Sequence, residues 1–221
     1  MGNAKYLILD FGNVIAGSPT LHWFITPNFF KYVDKDKFDV VRFNKAIKDN
    51  SKLISTKMIT DEEQYQVFKK VYNNIFKEIQ YDGNIEEISK KVAYDFTYND
   101  DLFFLFDDAK ENLKRLSDKY KLILVSDNWP CVFRIMKKWG IDKYFEKVYV
   151  SSVYEAKKEE GILFDYPIKE FNIKDNEAIF VDDHENLVDV AFNKGMIPVV
   201  MDRFEEYDRC KYKKIESLNE L

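Results

Sequence analysis

The sequence has only two cysteines, Cys131 and Cys210, among 221 residues. Two thiols so far apart form neither a disulfide framework nor a metal knuckle, so stability must come from a packed core and a reducing compartment is expected. No run of about 18 apolar residues occurs, which removes the sequence signal of a membrane-spanning helix. The start, Met1-Gly2-Asn3-Ala4-Lys5, has no apolar stretch of signal-peptide length, and Tyr6 stands where an N-myristoylation motif wants Ser or Thr. A soluble, cytoplasmic protein with no membrane partner is expected. Blocks of one charge are missing too: 39 acidic and 34 basic residues are interspersed, for a net charge of -5. That leaves no footprint for nucleic acid, although a small anion held by a few local donors is compatible with it. Repeats and low-complexity tracts are also lacking. What is there is 46% hydrophobic residues, ample for a core.

The apolar residues change their pattern twice along the chain. Tyr6-Leu7-Ile8-Leu9 is a short apolar run stopped by Asp10 and followed by Phe11-Gly12-Asn13, which reads as a buried parallel strand ending at a turn. From about residue 26 to residue 98 the spacing is helical. Thr26-Pro27 has the form of an N-cap with Pro at the first helical position, opening a short helix through Phe29, Phe30 and Val33. A second helix is expected over Lys37 to Lys48. Thr60 to Glu63 fits a capping box before Tyr65, Phe68, Tyr72, Ile75 and Ile79, and Asn84 to Glu87 repeats the signature before Ile85, Ile88, Val92 and Phe96. Four helices with short connections predict a small bundle.

Beyond residue 120 the runs at 121–126, 148–151, 178–182 and 197–201 are β-rich, with helices expected at about 109–118, 130–139, 162–171 and 186–194. Such alternation predicts an α/β fold with a doubly wound parallel sheet, in which the opening strand pairs with the later ones. The expected division is a sheet domain over residues 1–17 and 101–221 with a helical domain, 18–100, inserted into it.

In a parallel sheet all C-terminal strand ends lie on one edge. That edge should gather Asp10; Ser126 with Asp127 and Asn128; Lys158; and the pair Asp182-Asp183. Taken singly, Asp10 and Ser126 are ordinary turn formers and Lys158 an ordinary surface charge, with Lys157 an adjacent competitor. Adjacent carboxylates at a buried strand end are less ordinary, since they repel unless a cation or a proton separates them. Together the set describes phosphoryl transfer through a carboxylate. Asp10, Asp182 and Asp183 offer the hard oxygen ligands that Mg²⁺ takes. Lys158, Ser126 and backbone N–H groups after Asp10 would hold the phosphate oxygens, and Asp10 would form an aspartyl-phosphate.

This order and spacing resembles the haloacid dehalogenase superfamily, whose motifs are a nucleophilic Asp at the end of strand one, a Ser or Thr, a Lys and an acidic pair. The matching positions are Asp10, Ser126, Lys158 and Asp182-Asp183. Lys158-Glu159-Glu160-Gly161-Ile162-Leu163-Phe164 stands where many members have Lys-Pro-Asp-x-x-Ile-Phe, and Lys158 has the family's distance to Phe164. The resemblance covers the whole chain and implies a Rossmann-like core, a helical C1 cap between the first two motifs, and Mg²⁺ held by Asp10, the Gly12 carbonyl, Asp182 and Asp183. It also implies substrate contacts from Gly12, Asn13, Ser126, Asp127, Asn128 and Lys158. Most phosphatases of the superfamily have Asp-x-Asp, the second Asp moving protons, whereas this chain has Asp10-Phe11-Gly12. Asp-Phe-Gly-Asn-Val is similar to the Asp-Leu-Gly-Asn-Val of a subgroup that includes bacterial α-glucose-1-phosphate phosphatases. His22, His184 and Asp127 are the candidate replacements for the proton carrier. The implied activity is Mg²⁺-dependent hydrolysis of a small phosphorylated metabolite, and the subgroup resemblance points to a sugar phosphate. A catalytically quiet phosphate-binding protein and a metal-free haloacid dehalogenase are the alternatives. Specificity would lie in inserted residues such as Trp23, Phe29, Phe30, Tyr65 or Tyr72, for each of which packing is the competing role.

Overall fold

The computed structural model describes residues 4–221. The opening Met1-Gly2-Asn3, on which the reading of the amino terminus rests, lies outside them. The chain divides into a helical unit, Ser18–Phe103 with Trp129–Cys131, and a sheet unit formed by the residues up to Gly17, Phe104–Asn128 and Val132–Leu221.

The helical unit contains α1 (Phe29–Tyr32), α2 (Val40–Asp49), α3 (Ser51–Ile54), α4 (Asp61–Glu78) and α5 (Ile85–Tyr98). The capping box that starts α4 is complete: Glu63 N–H donates to Thr60 Oγ1 at 3.2 Å and Thr60 N–H donates to Glu63 Oε2 at 3.1 Å. Asn84 Oδ1 caps α5 by accepting from Glu87 N–H. The apolar stripes of α4 and α5 meet in an aromatic core, where Phe68 and Phe96 stack with centroids 4.2 Å apart. Trp129 packs edge-on against both rings, which is why residues 129–131 belong to this unit although they follow a sheet strand. Phe29 and Tyr72 are fully buried packing residues, and the Tyr72 hydroxyl donates to Phe24 O. Phe30 stays largely exposed.

Two helix starts differ from the sequence reading. The first helix begins at Phe29, not at Pro27, because the Asp95 carboxylate binds Asn28 through its backbone N–H and its Nδ2, at 3.0 and 2.7 Å, and Asn28 becomes the residue before the helix. Instead of one helix over Lys37–Lys48, a 3₁₀ turn at Lys35–Lys37 precedes α2, and Asp39 caps α2 by accepting from Val41 and Arg42 N–H.

Among the described residues the sheet unit has eight strands: β1 (Tyr6–Leu9), β2 (Ala16–Gly17), β3 (Phe104–Leu105), β4 (Lys121–Ser126), β5 (Phe145–Val150), β6 (Ala178–Asp182), β7 (Ile197–Met201) and β8 (Lys213–Ile215). Six of them form one sheet in the order β5-β4-β1-β6-β7-β8, every pairing parallel. The helices α6 (Ala109–Ser117), α7 (Cys131–Trp139), α8 (Ser151–Tyr154), α9 (Ile162–Phe171) and α10 (Glu185–Asn193) follow in the intervals; the first residue of α7 is counted with the helical unit. Leu7, Ile8 and Leu9 are fully buried, as a central strand of a parallel sheet requires. Ile8, Ile123, Tyr149, Phe164, Phe180 and Val188 lie in one core cluster, with the Phe164 and Phe180 rings edge to face at 4.9 Å.

Register fixes the site. Leu9 pairs with Leu124 on one side and Val181 on the other, so the next residues, Asp10 and Asp182, fall level at the sheet's C-terminal edge. The two-residue antiparallel pair β2–β3, the edge strand β8 and the four-residue helices α3 and α8 go beyond the sequence reading. No helix among the described residues is long and apolar enough to cross a membrane.

Candidate active site

Buried Lys158 organises the strand ends. Its ammonium donates to Asp10 Oδ1 at 2.7 Å and to Asp182 Oδ2 at 2.6 Å, and it is only 2% exposed. Asp182 is completely buried, and its other oxygen, Oδ1, accepts the N–H of His184 at 2.9 Å. Asp183 is half-buried, with Oδ2 accepting from Asn13 Nδ2 at 2.9 Å. One carboxylate oxygen each from Asp10, Asp182 and Asp183 lies within 4.8 Å of the others.

The segment after β1 is held by its own backbone. Asn13 takes a positive φ of 52°, an angle Asn tolerates better than most residues, and its N–H donates to Ala16 O at 2.7 Å. Ile15 and Ala16 N–H groups both donate to Phe11 O. The side chain of Arg203, just past β7, then clamps this turn by donating from Nε and Nη2 to Val14 O at 3.1 and 2.7 Å. Arg203 is paired with Asp108 and lies over the Phe106 ring at 4.1 Å. Tyr207 adds a second brace, its hydroxyl donating to Asp183 O at 2.8 Å. Neither residue was identified from the sequence. An Arg beside a strand end was the single signal available for the first, and nothing local distinguishes the second.

Electrostatics makes this cluster demanding. Burial by itself lowers the pKa of the Lys158 ammonium, but the charges of Asp10 and Asp182 outweigh that and hold it above the usual lysine range. Burial raises the Asp182 carboxyl well above its ordinary value, with Asp10 and Asp183 adding repulsion and Lys158 opposing it. Asp183 is raised by burial and by Asp10, and Asp127 chiefly by burial. Three carboxylates therefore share one ammonium, and a divalent cation would balance the excess. All three donors are hard oxygens, so the residues fit Mg²⁺. Asp10 and Asp183 have the freer oxygens for it, because both oxygens of Asp182 already accept hydrogen bonds.

The structure thus brings Asp10, Lys158, Asp182 and Asp183 into one cluster, with Ser126 buried at the end of neighbouring β4. Of the two adjacent lysines, Lys158 is the one inside; Lys157 is only half-buried and pairs with no described carboxylate. Gly12 sits in the turn and bridges to Ala16. Two expected phosphate donors have other employment. The backbone N–H of Asn13 is taken by Ala16 O and that of Asn128 by Ser151 Oγ at 3.1 Å. Asp127 is exposed, with Oδ1 accepting the N–H of Lys158 at 3.3 Å. His184 is exposed, its Nδ1 3.6 Å from Asp183 Oδ2. His22 belongs to the helical unit, where Nδ1 accepts from Phe24 N–H and Nε2 contacts Asn44 Oδ1, so both ring nitrogens are engaged.

No curated protein sequence matches the chain. Solved structures do match it in fold. The HAD-hydrolase YfnB from Bacillus subtilis, bound to magnesium, superposes with a TM-score of 0.72 at 15% identity, covering 99% of this chain and 96% of that one. A 2-haloacid dehalogenase from Pseudomonas syringae pv. Tomato DC3000 gives 0.70 at 12% identity, covering 98% and 96%. A HAD phosphatase from Thermococcus onnurineus gives 0.61 at 21% identity, covering 98% and 95%. At such identities these likenesses speak for the fold, a Rossmann-type core with a helical insertion. The sequence itself goes further, since residues 8–201 match the family as a whole. With its acidic strand ends and buried lysine in that frame, the protein belongs to the haloacid dehalogenase-like hydrolase family.

Proposed function

We propose that the protein is a Mg²⁺-dependent phosphatase that hydrolyses a small phosphorylated metabolite through a phosphorylated Asp10. The observation that carries this reading is the Lys158 ammonium bridging Asp10 and Asp182 at 2.7 and 2.6 Å, with Asp183 beside them. A carboxylate so held is fixed in rotamer and partly neutralised, so an anionic phosphate can approach it. Mg²⁺ on Asp10, Asp183 and the Gly12 carbonyl would screen the remaining negative charge.

Asp10 attacks phosphorus with its carboxylate oxygen, and the bond from phosphorus to the substrate oxygen breaks. Lys158 stays charged throughout and stabilises the equatorial oxygens. Ser126 Oγ, which donates to no described residue, is free to bind one of them. Water then cleaves the phosphorus bond to Asp10. Metal-free dehalogenation explains the cluster less well, because a third carboxylate adds repulsion that a bound cation would relieve.

Hydrolysis of 4-nitrophenyl phosphate with and without Mg²⁺ tests the reading. Turnover is expected with the metal, suppressed by EDTA and lowered by at least about 10³-fold in Asp10→Asn. Metal-independent turnover, or full activity in Asp10→Asn, would sink it. A phosphate-binding protein without catalysis would bind inorganic phosphate and release no product. A sugar-phosphate panel then addresses the substrate class.

A further inference from the structure

We infer that Asp127 is the proton carrier of this site, giving a proton to the leaving oxygen and later taking one from the attacking water. The inference rests on the phosphatase reading above. An alcohol leaves phosphorus as an alkoxide unless a positioned acid protonates it, so the strand ends must supply a proton that Gly12, having no side chain, cannot.

The nucleophile, the lysine and the acidic pair at this edge are committed, and His184 is an exposed side chain, its Nδ1 3.6 Å from Asp183 Oδ2. Asp10 is the nucleophile. Lys158 is locked as a cation between two carboxylates, and both oxygens of Asp182 accept hydrogen bonds. Asp183 is tied to Asn13 and is one of the carboxylates that would hold Mg²⁺. Asp127 differs from all of them. It directly follows β4, the strand that pairs with β1, and so stands at the same C-terminal sheet edge as Asp10. One of its oxygens accepts the Lys158 N–H, which orients the carboxyl, while Oδ2 has no hydrogen-bond partner among the described residues. The residue is open to solvent on one side, yet enough protein surrounds the carboxyl for burial to raise its pKa. The charges acting on it are Lys158 and Lys157, which favour its anion, and Asp10, which opposes it.

The step balances. Asp127 starts protonated; as the Asp10 oxygen bonds to phosphorus and the phosphorus bond to the alcohol oxygen breaks, that oxygen takes the Asp127 proton. Water oxygen then bonds to phosphorus, the bond to Asp10 breaks, and the water proton returns to Asp127. Inorganic phosphate and the alcohol leave.

Asp127→Asn keeps the shape and the acceptor for Lys158 N–H but cannot carry the proton. The kcat/KM values for benzyl phosphate, a poor leaving group, and 4-nitrophenyl phosphate, a good one, separate the roles, because kcat/KM reports the steps up to phosphorylation of Asp10. The expected result is a fall of about 10²-fold or more for benzyl phosphate and less than about tenfold for 4-nitrophenyl phosphate. Equal losses for both would make Asp127 a support for the Lys158 loop and overturn the inference. So would no loss, or the same selective loss in His184→Gln. A wild-type protein that hydrolyses neither compound overturns the phosphatase reading itself.

Discussion

Lys158 shows how much rests on one side chain. Bringing an ammonium and two carboxylates out of water costs several kcal/mol per ion, and the fold recovers this only while all three remain paired. Replacing the cation by a neutral chain of similar length leaves Asp10 and Asp182 facing each other without it. Lys158→Met is therefore expected to lose about 3–5 kcal/mol in urea unfolding under metal-free conditions, besides its activity. Lys157→Met should lose less than about 1 kcal/mol, because this half-buried lysine pairs with no described carboxylate. A reversed order would place the organising cation on the wrong lysine. In sequence the two were separable only by their distance to Phe164, because neighbouring residues of the same type in a turn carry no periodic signal. The same limit hid the engagement of Asn13 and Asn128: residue type tells what can donate, and only the folded turn tells where the donor is already spent.

At the scale of elements, long buried strands were legible and short braces were not. Tyr6–Leu9, Lys121–Ser126 and Ala178–Asp182 announce themselves as apolar runs with acidic or hydroxyl ends, since a strand buried on both faces leaves no room for polar residues before its edge. The two-residue strands β2 and β3 and the edge strand β8 are too short for any period, and they exist because tertiary contacts hold them. Asp108, between β3 and α6, is one such contact. Its Oδ2 accepts from Ser217 Oγ at 2.9 Å and from Leu218 N–H at 2.8 Å, and Arg203, which clamps Val14 O, pairs with it. Burial works to raise this carboxyl, but Arg203, the Leu218 N–H and the Ser217 hydroxyl outweigh it and hold its pKa below the usual value. A carboxyl depressed in the folded state contributes its stability above the unfolded pKa of about 3.9 and loses it as pH falls through the folded one. Asp108→Asn should therefore cost about 1.5–3 kcal/mol at pH 7, with the gap from wild type closing as pH falls below about 4. Urea unfolding across that range measures it, and a gap that stays constant to the lowest pH contradicts it.

For the whole molecule, the division into two units matters more than the count of elements. Each unit has its own core, the aromatic one around Phe68 and Phe96 and the aliphatic one around Ile8, Ile123 and Val188, and every carboxylate of the cluster belongs to the sheet unit. The insertion was legible as helical spacing over about residues 26–98, set between a first apolar strand and a later alternation of apolar strands with helices. Its return at Trp129–Cys131 was not, because one indole between a strand and a helix gives no pattern. A cation that binds only the folded sheet unit stabilises it by mass action, by about 2.7 kcal/mol at a hundredfold excess over its dissociation constant. For a unit of this size that is a rise of roughly 5–10 °C in Tm. Calorimetry with EDTA and then with saturating Mg²⁺ should show this shift, confined to one transition if the two units unfold separately. Asp183→Asn removes a freer donor and a source of repulsion while leaving the pairs of Lys158 with Asp10 and Asp182 intact, so it should be the more stable protein in EDTA and gain less from the metal. An equal Mg²⁺ shift in both proteins would place the cation elsewhere, and no shift in either would leave the excess charge balanced by protons alone.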